Sequence, residues 1–242
     1  MNARVRAVLR KELREFRRNK LVVGTMAALP VIFVALPLTS VLAVKAGTPL
    51  LAIKGVVGGA GLGLFLVPLL LPTIVAGYAV VGEREQGTLE PVLSTPVRRE
   101  ELLIGKALAA IVPTVAIAYA LFTLFVIVVR LFAVPEVLTL VWRPAQVVAI
   151  VLFTPLLVAF SIWVGLAISV RSSDVRVAQQ LATLAVLPMA GLLALFTFRV
   201  VSPNVMTAIV GAVLLLVIDV GAWRVVSGLF DRERLLTRYG GP

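Results

Sequence analysis

The sequence predicts an all-α, polytopic membrane protein with six transmembrane helices and an amphipathic N-terminal interfacial helix. Of its 242 residues, 60% are hydrophobic and 14% are charged, whereas a soluble domain has roughly 45–50% apolar and about 25% charged residues. The apolar residues form six runs, each long enough for the roughly 20 residues that a helix needs to cross a bilayer. These runs cover residues 21–44, 62–82, 106–132, 146–170, 178–198 and 205–228.

The first 20 residues are predicted to form a cytoplasmic amphipathic helix, ahead of a single six-helix transmembrane domain at 21–242. Lys and Arg occupy eight of these positions. Apolar residues recur among them at helical spacing, which predicts one narrow apolar face. That face comprises Val5, Val8, Leu9, Leu13 and Phe16. Both a solvated helix beside the membrane and a helix lying on anionic lipid fit this pattern, so membrane lipid is an expected partner.

The basic residues predict the orientation of the spans. With six spans, both termini lie on one side, and that side carries 18 of the 23 Lys and Arg residues. Basic residues in short loops favour the cytoplasm. We therefore expect a multi-pass protein of the cell (plasma) membrane with both termini cytoplasmic.

Composition also excludes several classes of function. The net charge of +11 is concentrated at the ends of apolar runs, where headgroups and orientation explain it, so no nucleic-acid partner is expected. Cysteine and histidine are both absent. Their absence excludes thiolate and imidazole metal ligands and any Cys/His or Ser/His catalytic pair, and we expect no catalytic residues, no metal and no directly bound cofactor.

Two further features leave alternatives open. Residues 45–63 contain Gly55, Gly59 and Gly63 at spacings of four, which on a helix would align small residues for close packing; a flexible external loop is the preferred interpretation. Asp219, near the cytoplasmic end of the last predicted span, is the only candidate for an ionisable residue inside the membrane, and a packing or polar contact between helices is favoured for it over a proton relay.

The polar stretch between the second and third runs is chemically distinct from the rest. It contains five of the twelve acidic residues, Glu83, Glu85, Glu90, Glu100 and Glu101. A helix is expected to leave the membrane and end near Gly87. A new helix is expected to start with Thr95 as N-cap and Pro96 at its first position, with the two later acids near its positive end.

This stretch resembles the membrane-spanning permease subunit of type-2 ABC transporters of the exporter type. The resemblance rests on three motifs in order between two spans: Glu83-Arg84-Glu85-Gln86-Gly87-Thr88-Leu89-Glu90, then Val92-Leu93-Ser94-Thr95-Pro96-Val97, then Glu101-Leu102-Leu103-Ile104-Gly105-Lys106. Residues 171–180 are similar to the short second cytoplasmic loop of such permeases. Those with a large external domain between the fifth and sixth spans differ from this chain, in which residues 199–204 join these spans.

The resemblance implies a cytoplasmic coupling segment at 83–105, between helices two and three, that docks on a separate ABC ATP-binding subunit. The residues implied at this ATPase-coupling interface are Glu83, Glu85, Gly87, Thr88, Leu89, Glu90 and Pro96. The chain has no Gly-x-x-x-x-Gly-Lys-Ser/Thr phosphate loop, so it is not expected to be an enzyme by itself, and ATP is expected to be used by a partner subunit.

The resulting functional hypothesis is a permease subunit of an ATP-driven ABC exporter that forms the translocation pathway as a homodimer or as a heterodimer with a related permease. Two alternatives from other classes remain. One is a membrane scaffold that recruits an ATPase without transporting anything, and the other is an ion-coupled secondary transporter that uses Asp219.

Overall fold

The computed structural model describes residues 3–18, 20–85, 87, 98–198 and 204–229. All regular secondary structure within these ranges is helical, which confirms the all-α prediction. The helices are α1 (Ala3–Arg18), α2 (Lys20–Leu42), α3 (Leu50–Glu85), α4 (Arg99–Phe132), α5 (Pro135–Val141), α6 (Pro144–Arg171), α7 (Val175–Thr197) and α8 (Val205–Leu229).

Five of these helices, α3, α4, α6, α7 and α8, are long and apolar enough to cross a membrane. The helix α2 adds a shorter apolar stretch at Met26–Leu42. The chain is therefore a multi-pass membrane protein with five long apolar helices and a shorter one, in the positions of the six predicted runs.

The helix α3 lies at the centre of the bundle, where it packs against α2, α4, α6 and α7. In the most apolar 18-residue stretch of α3, 81% is buried within the protein. In the corresponding stretches of α4, α7 and α8, only 17–22% is buried. The outer helices therefore leave most of their apolar surface facing outward, as expected where lipid replaces water as the solvent.

The preferred interpretation of residues 45–63 as a loop is wrong for residues 50–63, because α3 already begins at Leu50. The spacing of Gly55, Gly59 and Gly63 suggested that all three line one helix contact. In the structure the three glycines do not share one close contact. A Cβ atom added at Gly63 would lie 2.6 Å from Pro37 Cγ, whereas one added at Gly55 would meet no atom within 4 Å. The tightest contact of this region with α7 is at Gly58, where an added Cβ would lie 2.8 Å from the Thr197 carbonyl oxygen.

The contact between α3 and α6 is also close. A Cβ atom added at Gly165 would lie 2.6 Å from the Cβ of Ala76. One turn further along α6, the Ser169 hydroxyl donates a hydrogen bond of 2.7 Å to the Gly77 carbonyl oxygen. The backbones of the two helices therefore approach each other where small residues face, a common arrangement between membrane helices.

This packing predicts that Gly165→Ala destabilises the protein, since overpacking a tight contact costs about 1–3 kcal/mol. The matched control is Gly191→Ala in α7, where an added Cβ meets no atom within 4 Å. That control is expected to be neutral or slightly stabilising, because Ala favours helix over Gly. Thermal unfolding of the purified protein in detergent measures both, and equal midpoints for the two variants would contradict the packing account.

Candidate functional site: an ion-pair cluster joining three helices

Three helices meet where the chain leaves α3 and enters α4. There α1 lies across the start of α4, close enough that a Cβ added at Gly105 would lie 2.5 Å from Val8 Cγ1. Phe16 of α1 belongs to the same buried apolar cluster as Leu102 and Leu103 of α4. The apolar face predicted for α1 is therefore occupied by protein.

Five charged residues form the ion-pair cluster at this junction: Lys11, Glu12, Glu15, Glu83 and Lys106. The Lys106 ammonium is its centre, with Nζ 2.9 Å from Glu12 Oε1 and 2.8 Å from Glu83 Oε2. The Lys11 ammonium contacts the carboxylates of both Glu83 and Glu12 from the outer side, and its Nζ also lies 2.9 Å from Glu15 Oε2. The cluster thus connects α1 to the end of α3 and to the start of α4.

The cluster is deeply buried at its centre. The side chains of Lys106, Glu12 and Glu83 are only 1%, 3% and 6% exposed. Removing one such ion from water costs several kcal/mol, so each requires a nearby opposite charge. The two buried carboxylates obtain it from the two ammonium groups, and these four charges balance.

The environment of Lys11 keeps its ammonium charged. Burial by itself lowers the pKa of Lys11, but the neighbouring carboxylates of Glu12, Glu83 and Glu15 outweigh burial and raise the pKa above its ordinary value. The carboxylates of Glu12, Glu15 and Glu83 lie within 4.8 Å of one another, a spacing that would also suit a metal ion. The ammonium groups of Lys11 and Lys106 already supply positive charge at that place.

A second layer of contacts holds the first turn of α4. Glu101 Oε2 accepts a hydrogen bond of 2.9 Å from the backbone N–H of Arg98 and lies 3.6 Å from Arg4 Nη1 of α1. Glu100 and Glu101 occupy the first turn of α4, which begins at Arg99 after an extended Arg98 and therefore three residues later than the start predicted at Pro96. Carboxylates are favourable at this positive end of a helix.

The last residue of α3 contacts a different part of the bundle. The Glu85 carboxylate accepts a hydrogen bond of 3.2 Å from the backbone N–H of Val175, the first residue of α7. Asp174 completes the same helix start by accepting from the N–H groups of Arg176 and Val177 at 2.7 and 3.0 Å, as an N-cap does. The stretch 171–180 is thereby linked to the end of α3.

The predicted interface residues therefore lie in different environments. Glu83 is buried and forms ion pairs within the chain, whereas Glu85 is exposed. Gly87 is exposed with a φ of +67°, a backbone conformation that favours glycine. Four other predicted interface residues lie outside the described residues: Thr88, Leu89, Glu90 and Pro96. The N-cap expected at Thr95 lies outside them too.

Asp219 lies in α8 and is 5% exposed. Neither of its carboxylate oxygens has a hydrogen-bond partner in the part of the chain that the structure describes, so the polar contact predicted for Asp219 is not seen there. The buried hydroxyls of Thr114 in α4 and Ser161 in α6 likewise lack a partner among the described residues. Buried polar atoms without partners are costly, at about 1–3 kcal/mol each.

Sequence reasoning missed four of the five members of this site: Lys11, Glu12, Glu15 and Lys106. A signal for Glu12 was present, because it lies four residues after Val8 and four before Phe16 and so falls on the apolar face of α1. An acidic residue on such a face requires a buried partner. The pairing of Glu12 with Lys106 joins residues 94 apart in the chain and has no local signature.

The described residues define an all-helical, multi-pass membrane protein. The sequence of this chain matches the protein family described as ABC-2 family transporter protein over residues 6–214. This range covers most of the chain, including most of α1 and all five residues of the ion-pair cluster. The chain belongs to this ABC-2 family, whose membership marks it as a transmembrane permease of the ABC transporter class. A comparison with curated proteins finds no similar sequence.

The cluster predicts a large loss of stability for Lys106→Met, because removing one partner leaves buried charges uncompensated, which typically costs about 3–5 kcal/mol. The double variant Glu12→Leu with Lys106→Met should regain most of that loss, since Lys11 and Glu83 remain as a balanced pair. Thermal unfolding in detergent measures both variants. Lys45→Met, at an exposed position between α2 and α3, is the control, and a double variant no more stable than Lys106→Met would contradict the charge-balance account.

Proposed function

We propose that this chain is the permease subunit of an ATP-driven exporter, forming the translocation pathway and coupling it to a separate ATP-binding subunit. The observation that carries the proposal is that the ion-pair cluster fixes both ends of the 83–105 segment to the helices that would have to move. The match of residues 6–214 to the ABC-2 transporter family supports the same assignment.

ATP hydrolysis is assigned to a partner because the chain lacks the phosphate loop of P-loop ATPases. The segment 83–105 would dock in that partner through Glu85, Gly87, Thr88, Leu89, Glu90 and Pro96. Glu83 has a different role in this proposal. Its carboxylate is buried between Lys106 and Lys11, so it positions the segment from inside the protein.

The proposed mechanism is alternating access in a pair of permeases, either two copies of this chain or this chain with a related one. Closure of two ATP-binding subunits would push the 83–105 segments towards each other. Glu83 and Lys106 would pass that force to α3 and α4, since rigid helices linked by ion pairs move together. Glu85 would pass part of it to α7 through its hydrogen bond to Val175.

The distribution of basic residues supports a cytoplasmic position for α1, for the 83–105 segment and for both termini in the cell membrane. An ATP-binding partner in the cytosol would then meet the segment directly. A scaffold that recruits an ATPase without transport would share this orientation and differ in the absence of substrate movement.

The coupling proposal predicts that Glu85→Ala with Leu89→Ala abolishes the stimulation of partner ATP turnover by the permease. Truncating an anchor of an interface costs about 2 kcal/mol or more, so binding of the ATP-binding subunit should also weaken at least about thirtyfold. ATP turnover and binding are measured on the reconstituted complex. The matched control is Leu131→Ala with Glu136→Ala, at exposed positions of α4 and α5 far from the segment. Unchanged turnover in the Glu85/Leu89 variant would refute coupling through this segment.

The buried carboxylate of Asp219, which has no hydrogen-bond partner among the residues that the structure describes, is the observation that favours an ion-coupled transporter as second candidate. The exporter proposal predicts that Asp219→Asn keeps ATP-driven transport and raises stability by about 1–3 kcal/mol, because a neutral amide is less costly to bury than a carboxylate. Transport in proteoliposomes and thermal unfolding test this. Asp174→Asn, which retains an N-cap, is the control, and loss of transport with ATP turnover intact would favour ion coupling.

A further inference from the structure

The outward face of α1 is strongly basic. Arg6, Arg10, Arg14, Arg17 and Arg18 are all exposed, and within the described residues none of the five makes an ion pair. Their spacing along a helix of 3.6 residues per turn places them within an arc of about 120°. This set of five arginines is the arginine face.

The opposite face of α1 is fixed to the protein. Val5, Glu12 and Phe16 are buried, and Glu12 is paired with Lys106 of α4. The helix therefore cannot rotate to insert its apolar side into lipid, as a free amphipathic helix would. The arginine face is held pointing away from the bundle.

The position of α1 places this face at the level where membrane spans begin. Its neighbour α2 starts at Lys20, and the apolar residues of that helix begin at Leu21. The contact of Val8 with Gly105 lies six residues into α4, near the end of the candidate span Glu100–Phe132. Helix ends at this depth meet the headgroup region of a bilayer.

A surface groove of about 430 Å³ follows the second half of α1. It is lined by Arg10, Leu13, Arg14, Arg17 and Arg18. Four guanidinium groups around one apolar side chain suit an anionic amphiphile, because guanidinium groups bind phosphate oxygens in a bidentate manner and Leu13 offers apolar contact beside them.

We propose that the arginine face is a binding surface for the headgroups of anionic phospholipids in the leaflet next to α1. Since the same helix is joined to Glu83 and Lys106 on its other face, bound lipid fixes α1 from outside while the cluster fixes it from inside. The charge of the membrane thereby acts on the position of the 83–105 segment.

The absence of cysteine from the sequence permits a clean test. A fluorophore is attached to the full-length protein through Ala7→Cys, an exposed position of α1 on the side of the arginine face, or through Ala46→Cys between α2 and α3. Each protein is reconstituted in vesicles of phosphatidylcholine and phosphatidylglycerol, in which either one or the other lipid carries brominated acyl chains. The ratio of quenching by the two lipids measures the local preference for anionic lipid.

We expect preferential quenching by brominated phosphatidylglycerol at position 7 and a smaller preference at position 46. The triple variant Arg6→Gln, Arg10→Gln, Arg14→Gln should lower the preference at position 7 by about tenfold or more, given about fivefold per basic residue. The preference should also fall in 1 M NaCl, where the screening length is about 3 Å. The control Lys45→Gln, Arg130→Gln, Arg143→Gln removes the same charge elsewhere and should leave it intact.

Three outcomes would overturn the proposal. If the two lipids quench the fluorophore at position 7 equally in the protein that keeps all five arginines, the arginine face has no selectivity for anionic lipid. Quenching by neither lipid at position 7 would place the face in the aqueous phase, where it would suit an acidic protein partner. An equal loss in the control triple variant would trace the preference to overall charge.

Discussion

The buried ammonium of Lys106 is the interaction on which the polar end of this bundle depends. It lies between two carboxylates that come from different helices, Glu12 of α1 and Glu83 of α3. Neither carboxylate could be buried alone, and the ammonium could not be buried without them. Charge balance therefore requires three helices to meet at one point, although a group of apolar side chains would tolerate many arrangements. We infer that in this protein the buried ion pairs select the arrangement of the three helices more strictly than apolar contacts alone would.

This requirement changes the role of the N-terminal helix. An amphipathic helix rich in arginine normally lies on a membrane surface with its apolar side in lipid. Here Val5 and Phe16 are buried in the protein, and Glu12 adds a polar anchor to the same face. The helix is consequently a structural part of the bundle, and its ion pairs join it to residues at the beginning and just after the end of the 83–105 segment.

Much of the fold was predictable from sequence, because apolar runs of about 20 residues specify membrane helices almost independently of their neighbours. Glu100 and Glu101 were predicted at the start of α4 for a similarly local reason, the charge preference of a helix terminus. The pairing of Lys106 with Glu12 was not predictable, since it joins residues distant in sequence. The loop interpretation of residues 50–63 failed because glycine lowers helix propensity in water, whereas Gly58 and Gly63 allow close contact with neighbouring helices.

The hydroxyl of Ser169 joins α6 to the backbone of α3. It donates to the carbonyl oxygen of Gly77 and accepts from the N–H groups of Val80 and Val81, both at 3.2 Å. Backbone groups that normally bond within one helix are thus shared with α6 over about one turn. Separating α3 from α6 at this level would therefore break hydrogen bonds to the backbone as well as packing contacts.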